Sequence, residues 1–276
     1  MVKKIKKYAH VFNSVVNQAS ELKKLEGFSP YSKIVSEAFL KVKKGEYTQE
    51  ETAIFRKLDE YRARLLASDE IVTYEIFGSD LQRTVAEIAR IGASPQVWCK
   101  LYYFLTTLSG AKNVLEIGTN LGVSGQYFIE GLKDGDGSKF ITLEGVPKLC
   151  EIASERFSSL AKRDGQFEVI QGLYDDTLHS VLDSGIEFDL VFIDGNHKYE
   201  PTVKYFNLLK NNYRDHAIIL FDDIYISEEM ERAWKEVKKD PGVVCSIDLF
   251  KLGIVVYEKG GGQGEPISAD LFLSVR

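Results

Sequence analysis

The sequence predicts an α/β fold: a mostly parallel sheet with helices on both faces, preceded by a helical N-terminal segment. Three observations carry this expectation. From residue 113 onward, strand-like and helix-like segments alternate, which is the pattern of a parallel sheet. Runs such as Leu190-Val191-Phe192-Ile193 are apolar throughout, as in strands buried on both sides. The first such run, Val114-Leu115-Glu116-Ile117, stops at a glycine-rich turn, Gly118-Thr119-Asn120-Leu121-Gly122, and a helical pattern follows. A strand, a tight loop and a helix N-terminus in that order form a device for holding a polar or anionic cofactor against backbone N–H groups.

The elements follow from the hydrophobic pattern. Strands are expected at 113–117, 139–143, 167–170, 188–193, 217–221, 243–250 and 252–257, with helices at 122–132, 147–162, 174–183, 200–210 and 227–238. The last two strands are separated only around Lys251. That gap is too short for a crossover helix, so these strands are expected to be antiparallel. Gly260 to Gly264 reads as a flexible loop, and the terminal ISADLFLSVR as an edge strand or helix. Upstream, Ser94-Pro95 opens a helix with serine as cap, buries Trp98, Leu101, Tyr102, Leu105 and Leu108, and ends at Gly110. Residues 1 to about 80 read as helical, and Thr48 with Glu51 forms a capping box for a helix running to Leu66. The expected division is a helical cap or dimerisation region over residues 1–90 and a cofactor-binding domain over residues 91–276.

Bulk properties narrow the classes. At 276 residues, 44% hydrophobic and 28% charged, the chain is an ordinary globular protein. No apolar run reaches the ~18 residues of a membrane span. The basic start MVKKIKKYAH lacks a signal-peptide core, so the expected location is the cytoplasm. Cys99, Cys150 and Cys245 form no CxxC pair and are expected to be buried apolar residues rather than zinc ligands or disulfides. Net charge is −6, with residues 1–66 carrying 14 Lys and Arg against 8 Asp and Glu. Those lysines are interleaved with glutamates, as in Glu21-Leu22-Lys23-Lys24-Leu25-Glu26, which is the pattern of a solvated helix face rather than a nucleic-acid surface.

Five ordered segments carry chemistry. The first has the spacing Gly118-x-x-x-Gly122-x-Ser124, which is not the dinucleotide pattern GxGxxG. Glu116 ends its strand where a carboxylate can hold an ammonium, and Ser124 falls in the first helical turn, able to donate to a carboxylate. The second is Ile141-Thr142-Leu143-Glu144, a strand ending in an acid. In doubly wound folds, that position binds ribose hydroxyls. The third, Val169-Ile170-Gln171-Gly172, ends another strand with residues able to border an adenine ring. The fourth places Asp194 and His197 just past the strand 188–193, at the sheet edge where ligands of open α/β sheets bind. The fifth, Ile218 to Asp223, ends in two acids. Asp194, Asp222 and Asp223 converging on one edge would make an all-oxygen site suited to Mg²⁺.

VLEIGTNLGVS, ITLEG, VIQG, FDLVFIDGNHKYE and IILFDDI, in this order, resemble the class I S-adenosylmethionine-dependent methyltransferases over residues 91 to 258. Within that group the chain is most similar to the catechol and caffeoyl-CoA type of small-molecule O-methyltransferase. The resemblance implies a Rossmann-like, seven-stranded sheet with its C-terminal strand antiparallel. It implies S-adenosylmethionine as cofactor, held by Glu116, Gly118, Thr119, Asn120, Gly122, Ser124, Glu144, Gly145, Gln171, Gly172 and Asp194. It also implies a divalent metal on Asp194, Asp222 and Asp223, although the family usually has Asn where Asp223 stands. The family's lysine base, three residues after the first metal acid, is replaced here by His197, whose ordinary pKa lies near neutrality.

The expected reaction is metal-assisted methylation of a small-molecule hydroxyl, with Asp194 and His197 as catalytic residues. The alternatives are a metal-independent N- or O-methyltransferase, or a non-catalytic protein that binds S-adenosylmethionine. A dinucleotide oxidoreductase is disfavoured by the glycine spacing. A nucleic-acid methyltransferase is disfavoured by the absence of an NPPY-like tetrad.

Overall fold

A computed structural model describes residues 2–132, 137–262 and 264–274, with side chains described from residue 11 onward. The basic N-terminal side chains, Gln263 of the glycine loop, and Val275 and Arg276 of the terminal segment lie outside the described residues. The chain divides into two compact units, one of residues 1–43 and 185–276, the other of residues 44–184.

Helices α1 (Val2–Phe28) and α2 (Pro30–Lys44) open the chain. The unit of residues 44–184 then runs through α3 (Gln49–Leu66), β1 (Ile71–Thr73), β2 (Gln82–Thr84), α4 (Val85–Ile91), α5 (Gln96–Ser109), β3 (Asn113–Ile117), α6 (Gly125–Gly131), β4 (Lys139–Glu144), α7 (Pro147–Ser158), β5 (Phe167–Gln171) and α8 (Tyr174–Asp183). Strands β3, β4 and β5 are parallel, with β4 in the middle. Two capping boxes start helices here, Thr48 with Glu51 for α3 and Thr84 with Glu87 for α4.

Two local expectations are corrected in this unit. Residues 71–84 are not helical: β1 and β2 pair antiparallel around a short 3-10 turn. Ile71-Val72-Thr73 are all β-branched and so favour extended backbone. Ser94 does not cap α5. Pro95 is the cap residue and makes no side-chain cap bond, while the Ser94 carbonyl accepts a 2.7 Å hydrogen bond from Arg62. The helix ends as expected at Gly110, in left-handed conformation.

Helix α3 is fastened to the β3–α6 region by polar contacts. Tyr61 donates its hydroxyl to the Leu121 carbonyl (2.7 Å), Gln126 donates to the Leu58 carbonyl (3.3 Å), and Arg156 of α7 donates Nε to Gln126 Oε1 (2.9 Å). The rings of Phe55, Tyr103, Phe104 and Tyr127 fill the interior between these elements.

The other unit continues from α1 and α2 with β6 (Phe188–Ile193), α9 (Tyr199–Leu208), β7 (Tyr213–Phe221), α10 (Glu228–Val237), β8 (Val243–Asp248), β9 (Gly253–Glu258) and β10 (Ile267–Asp270). Its strand order is β10-β8-β9-β7-β6. Strand β6 is parallel to β7, β9 is antiparallel to both β7 and β8, and β10 is parallel to β8. The antiparallel C-terminal pairing is therefore as the sequence predicts. The main strands among the described residues number eight rather than seven, because the terminal segment forms β10 as an edge strand. Lys24 of α1 donates to the Ser268 carbonyl (2.5 Å), and Tyr31 of α2 stacks on His216 at 5.1 Å.

Cys99, Cys150 and Cys245 are all buried, as the sequence predicts. Among the described residues no helix is long and apolar enough to cross a membrane.

Candidate functional site

In the unit of residues 44–184, the carboxyl ends of β3, β4 and β5 are joined by backbone hydrogen bonds between their loops. Gly118 and Thr119 both donate N–H to the Leu143 carbonyl (3.0 and 3.2 Å), and Gly172 donates to the Glu144 carbonyl (2.9 Å). Register places Glu116 opposite Thr142 and Glu144 opposite Gln171. The predicted residues Glu116, Gly118, Thr119, Asn120, Gly122, Ser124, Glu144, Gly145, Gln171 and Gly172 thus share one strand-end region of this unit.

Glu116 is completely buried, and both its oxygens are engaged. Ser124 donates to Oε1 (2.5 Å) and Thr142 to Oε2 (2.8 Å), while Thr119 and Thr142 share a 2.6 Å hydroxyl contact. This buried network ties β3, β4, the glycine turn and the start of α6 together. Burial pushes the Glu116 carboxyl up to about 8. The hydrogen bonds from Ser124 and Thr142 oppose the rise, and the neighbouring Glu144 charge adds to it. Ser124 sits at the cap position of α6 rather than inside its first turn, and its partner is a side chain rather than the helix backbone.

Glu144 is 6% exposed and holds two loops at once. Oε2 accepts the Asn120 N–H (2.9 Å) and Oε1 accepts the Val146 N–H (2.9 Å). Desolvation raises its pKa, while the backbone N–H groups of Val146, Asn120 and Gly145 lower it. A carboxylate offers about four lone-pair directions, so Glu144 retains acceptor capacity beyond these backbone bonds. These acceptor oxygens therefore fit the hydroxyls of a ribose.

The glycines have two different reasons. Gly118 (φ 111°) and Gly172 (φ 146°) adopt backbone that side-chain-bearing residues avoid. Gly122 (φ 72°) does so too, but a methyl group there would also meet the Phe157 ring at 2.9 Å and Ala153 at 3.2 Å. Its smallness lets α7 approach the loop rather than a ligand. Against Gly145 lies the ring of Phe77, 3.0 Å from where a Cβ would stand. Phe77 is 56% exposed, at the tip of the β1–β2 hairpin, and Tyr74 of the same turn feels the Glu144 charge. This hairpin, unforeseen in the sequence, lies against the strand-end region at Gly145. The β-branched run at 71–73 was the sequence signal for it.

In the unit of residues 1–43 and 185–276, Asp194 and His197 follow β6, and Asp222 and Asp223 follow β7. Asn196 (φ 63°), His197 (φ 38°) and Asp223 (φ 52°) all adopt left-handed backbone, a strain that clusters at functional positions. His197 Nε2 lies 3.5 Å from Asp194 Oδ1. Asp222 is 5% exposed. Desolvation raises its pKa, Lys251 opposes that rise, and Asp223 adds to it.

In the sequence Lys251 marks only the break between two strands. Its Nζ lies 2.8 Å from Asp222 Oδ2 and 2.8 Å from Asp223 Oδ1. The antiparallel register explains the meeting. Gly253 at the start of β9 pairs with Phe221 at the end of β7, which brings the β8–β9 turn beside Asp222.

The residues as folded do not fit the divalent cation expected on Asp194, Asp222 and Asp223. An ammonium already sits at hydrogen-bond distance from two of the three acids, and a second cation sharing those oxygens would be repelled by it. Among the described residues, no group of three or more His, Cys, Asp or Glu is arranged to hold a metal ion.

Residues 115–224 match the family model described as methyltransferase domain, and the fold is that of the Rossmann-like methyltransferases. Two curated relatives carry the name putative O-methyltransferase. One, from Mycolicibacterium smegmatis, is 34% identical over 97 residues, covering 35% of this chain and 44% of the relative. The other, from Mycobacterium ulcerans, is 29% identical over 139 residues, covering 48% and 60%. The chain thus spans about half the length of the curated relatives it matches. Among solved structures, cofactor-bound Rv0187 from MTB is 27% identical with a TM-score of 0.53, over 62% of this chain and 83% of that one. The O-methyltransferase from Bacillus cereus in complex with SAH shares the fold at 21% identity and a TM-score of 0.55, over 75% and 91%.

Proposed function

We propose that this chain is an S-adenosylmethionine-dependent methyltransferase acting on a hydroxyl of a small-molecule acceptor. The observation that carries the reading is Glu144. It is a nearly buried strand-end acid that fastens the glycine turn and keeps acceptor capacity for a ribose, inside a region matching a methyltransferase domain. When bound, the cofactor supplies an electrophilic methyl group on a sulfonium, whose C–S bonding pair stays with sulfur on transfer.

The chain's own residues then bind and align. Glu144 takes the ribose hydroxyls, Gln171 and Gly172 border the adenine, and the turn of Gly118, Thr119 and Asn120 faces the amino-acid end. Glu116, braced by Ser124 and Thr142, fixes the glycine turn that faces the ammonium end. His197 accepts the proton lost from the acceptor hydroxyl as the new C–O bond forms, and Asp194 orients the histidine. The N-terminal residues 1–90 serve as a cap or dimerisation element, and Phe12, Val15 and Val16 give α1 an exposed apolar stripe for that second role.

The test is equilibrium dialysis of the purified protein against methyl-labelled S-adenosylmethionine, with NAD in a parallel cell. Retention of one equivalent of S-adenosylmethionine and none of NAD is expected. Retention of NAD alone, or of neither, would remove the reading.

A further inference from the structure

The acids that follow β7 are neutralised from within the chain. We propose that Lys251 holds the place of a divalent cation, so that methyl transfer by this protein needs no metal ion. The inference rests on the methyltransferase reading for its reaction, but its geometry lies wholly within the unit of residues 1–43 and 185–276.

The lysine is built into its position. Phe250 turns the chain with a left-handed backbone (φ 67°), the Lys251 N–H donates to the Leu249 carbonyl (2.8 Å), and the Lys251 carbonyl accepts the Ile224 N–H (3.1 Å). These bonds fix the β8–β9 turn against the segment that carries Asp222 and Asp223. The side chain is 22% exposed, and its ammonium bridges the two carboxylates at equal distances of 2.8 Å. A mobile surface lysine has no reason to hold such a geometry.

The acids need that charge. Asp222 is 7% exposed at its side chain, and its Oδ1 is buried with no hydrogen-bond partner among the described residues. Two neighbouring carboxylates, one of them buried, repel each other, and an adjacent cation offsets that repulsion. Where a metal site would draw that cation from solution, this chain supplies it covalently. The ammonium has three N–H donors, and two of them are directed at the acids. The third is left for an acceptor oxygen, which it would orient as a point charge.

Removing the lysine charge should therefore create the metal site that its presence fills. The experiment titrates Mn²⁺ into the full-length protein by electron paramagnetic resonance, with S-adenosylhomocysteine calorimetry on the same samples. Wild type is expected to bind Mn²⁺ no more tightly than about 1 mM. Lys251→Met, which keeps the stem and loses the charge, is expected to gain a one-to-one Mn²⁺ site at least about tenfold tighter. Lys251→Arg is expected to behave as wild type. A tight one-to-one Mn²⁺ site in wild type overturns the inference by itself, even if Lys251→Met does not fold. So does a folded Lys251→Met, checked by circular dichroism, that gains no site. Failure of S-adenosylhomocysteine to bind in all three proteins counts against the methyltransferase reading instead, and the Mn²⁺ result is read independently of it.

Discussion

Ser124 donates its hydroxyl to Oε1 of Glu116 across 2.5 Å, joining the first residue of a helix start to an acid buried in the adjoining strand. The pair explains why a carboxyl with no exposure is tolerated in β3. With Thr142 on its other oxygen, both Glu116 oxygens are hydrogen-bonded, and burial shifts its ionisation instead of breaking the fold.

A pH dependence follows. The Glu116 pKa rises from an ordinary value of 4.5 to about 8 in the folded state. The folded protein therefore holds a proton that the unfolded chain releases. This contribution is fully present below 4.5 and is lost as pH rises through about 8. The loss is on the order of a few kcal/mol. Urea unfolding across this range should show wild type losing stability relative to Glu116→Gln, whose side chain stays neutral. Parallel stability curves for the two proteins would contradict the assignment.

The glycines of the α6 start are set by the neighbouring helix as well as by the loop. A methyl group on Gly125 would stand 2.6 Å from the Phe157 ring and 3.0 Å from the Phe140 ring. Gly125→Ala should cost about 1–3 kcal/mol through overpacking. Combining it with Phe157→Leu should cost less than the sum of the two single changes, by about 1 kcal/mol. Strict additivity in chemical denaturation would mean that the glycine answers to something other than Phe157.

The hairpin tip offers a test of its role in the cradle. Phe77 lies against Gly145 yet is 56% exposed, so its truncation removes little core. Phe77→Ala should leave thermal stability within about 0.5 kcal/mol of wild type. The same change should weaken S-adenosylhomocysteine binding about tenfold, as read by fluorescence competition. Unchanged affinity would show that the hairpin does not wall the ligand.

Much of this was legible in the sequence because strand periodicity and strand-end chemistry are local. The spans 113–117 and 188–193 and the helix 174–183 are observed with those bounds, since apolar runs and their terminating glycines or acids mark both ends. The antiparallel last pair followed from the short gap at Lys251. What escaped were relationships that depend on pairing. The network of Glu116, Thr142 and Thr119 comes from parallel register between β3 and β4, which no local motif encodes. Lys251 meets Asp222 only because β9 runs back along β7. The β1–β2 hairpin was missed because three-residue strands carry too little periodicity to stand out against the helices around them.

The central claim is that the strand-end region around Glu144 binds S-adenosylmethionine, and one measurement addresses it directly. Isothermal titration calorimetry with S-adenosylhomocysteine is run on wild type and on Glu144→Ala, with circular dichroism confirming that both are folded. One-to-one binding in wild type, weakened at least about tenfold in the variant, is the predicted result. Absence of binding in wild type, or equal affinity in both proteins, would contradict it.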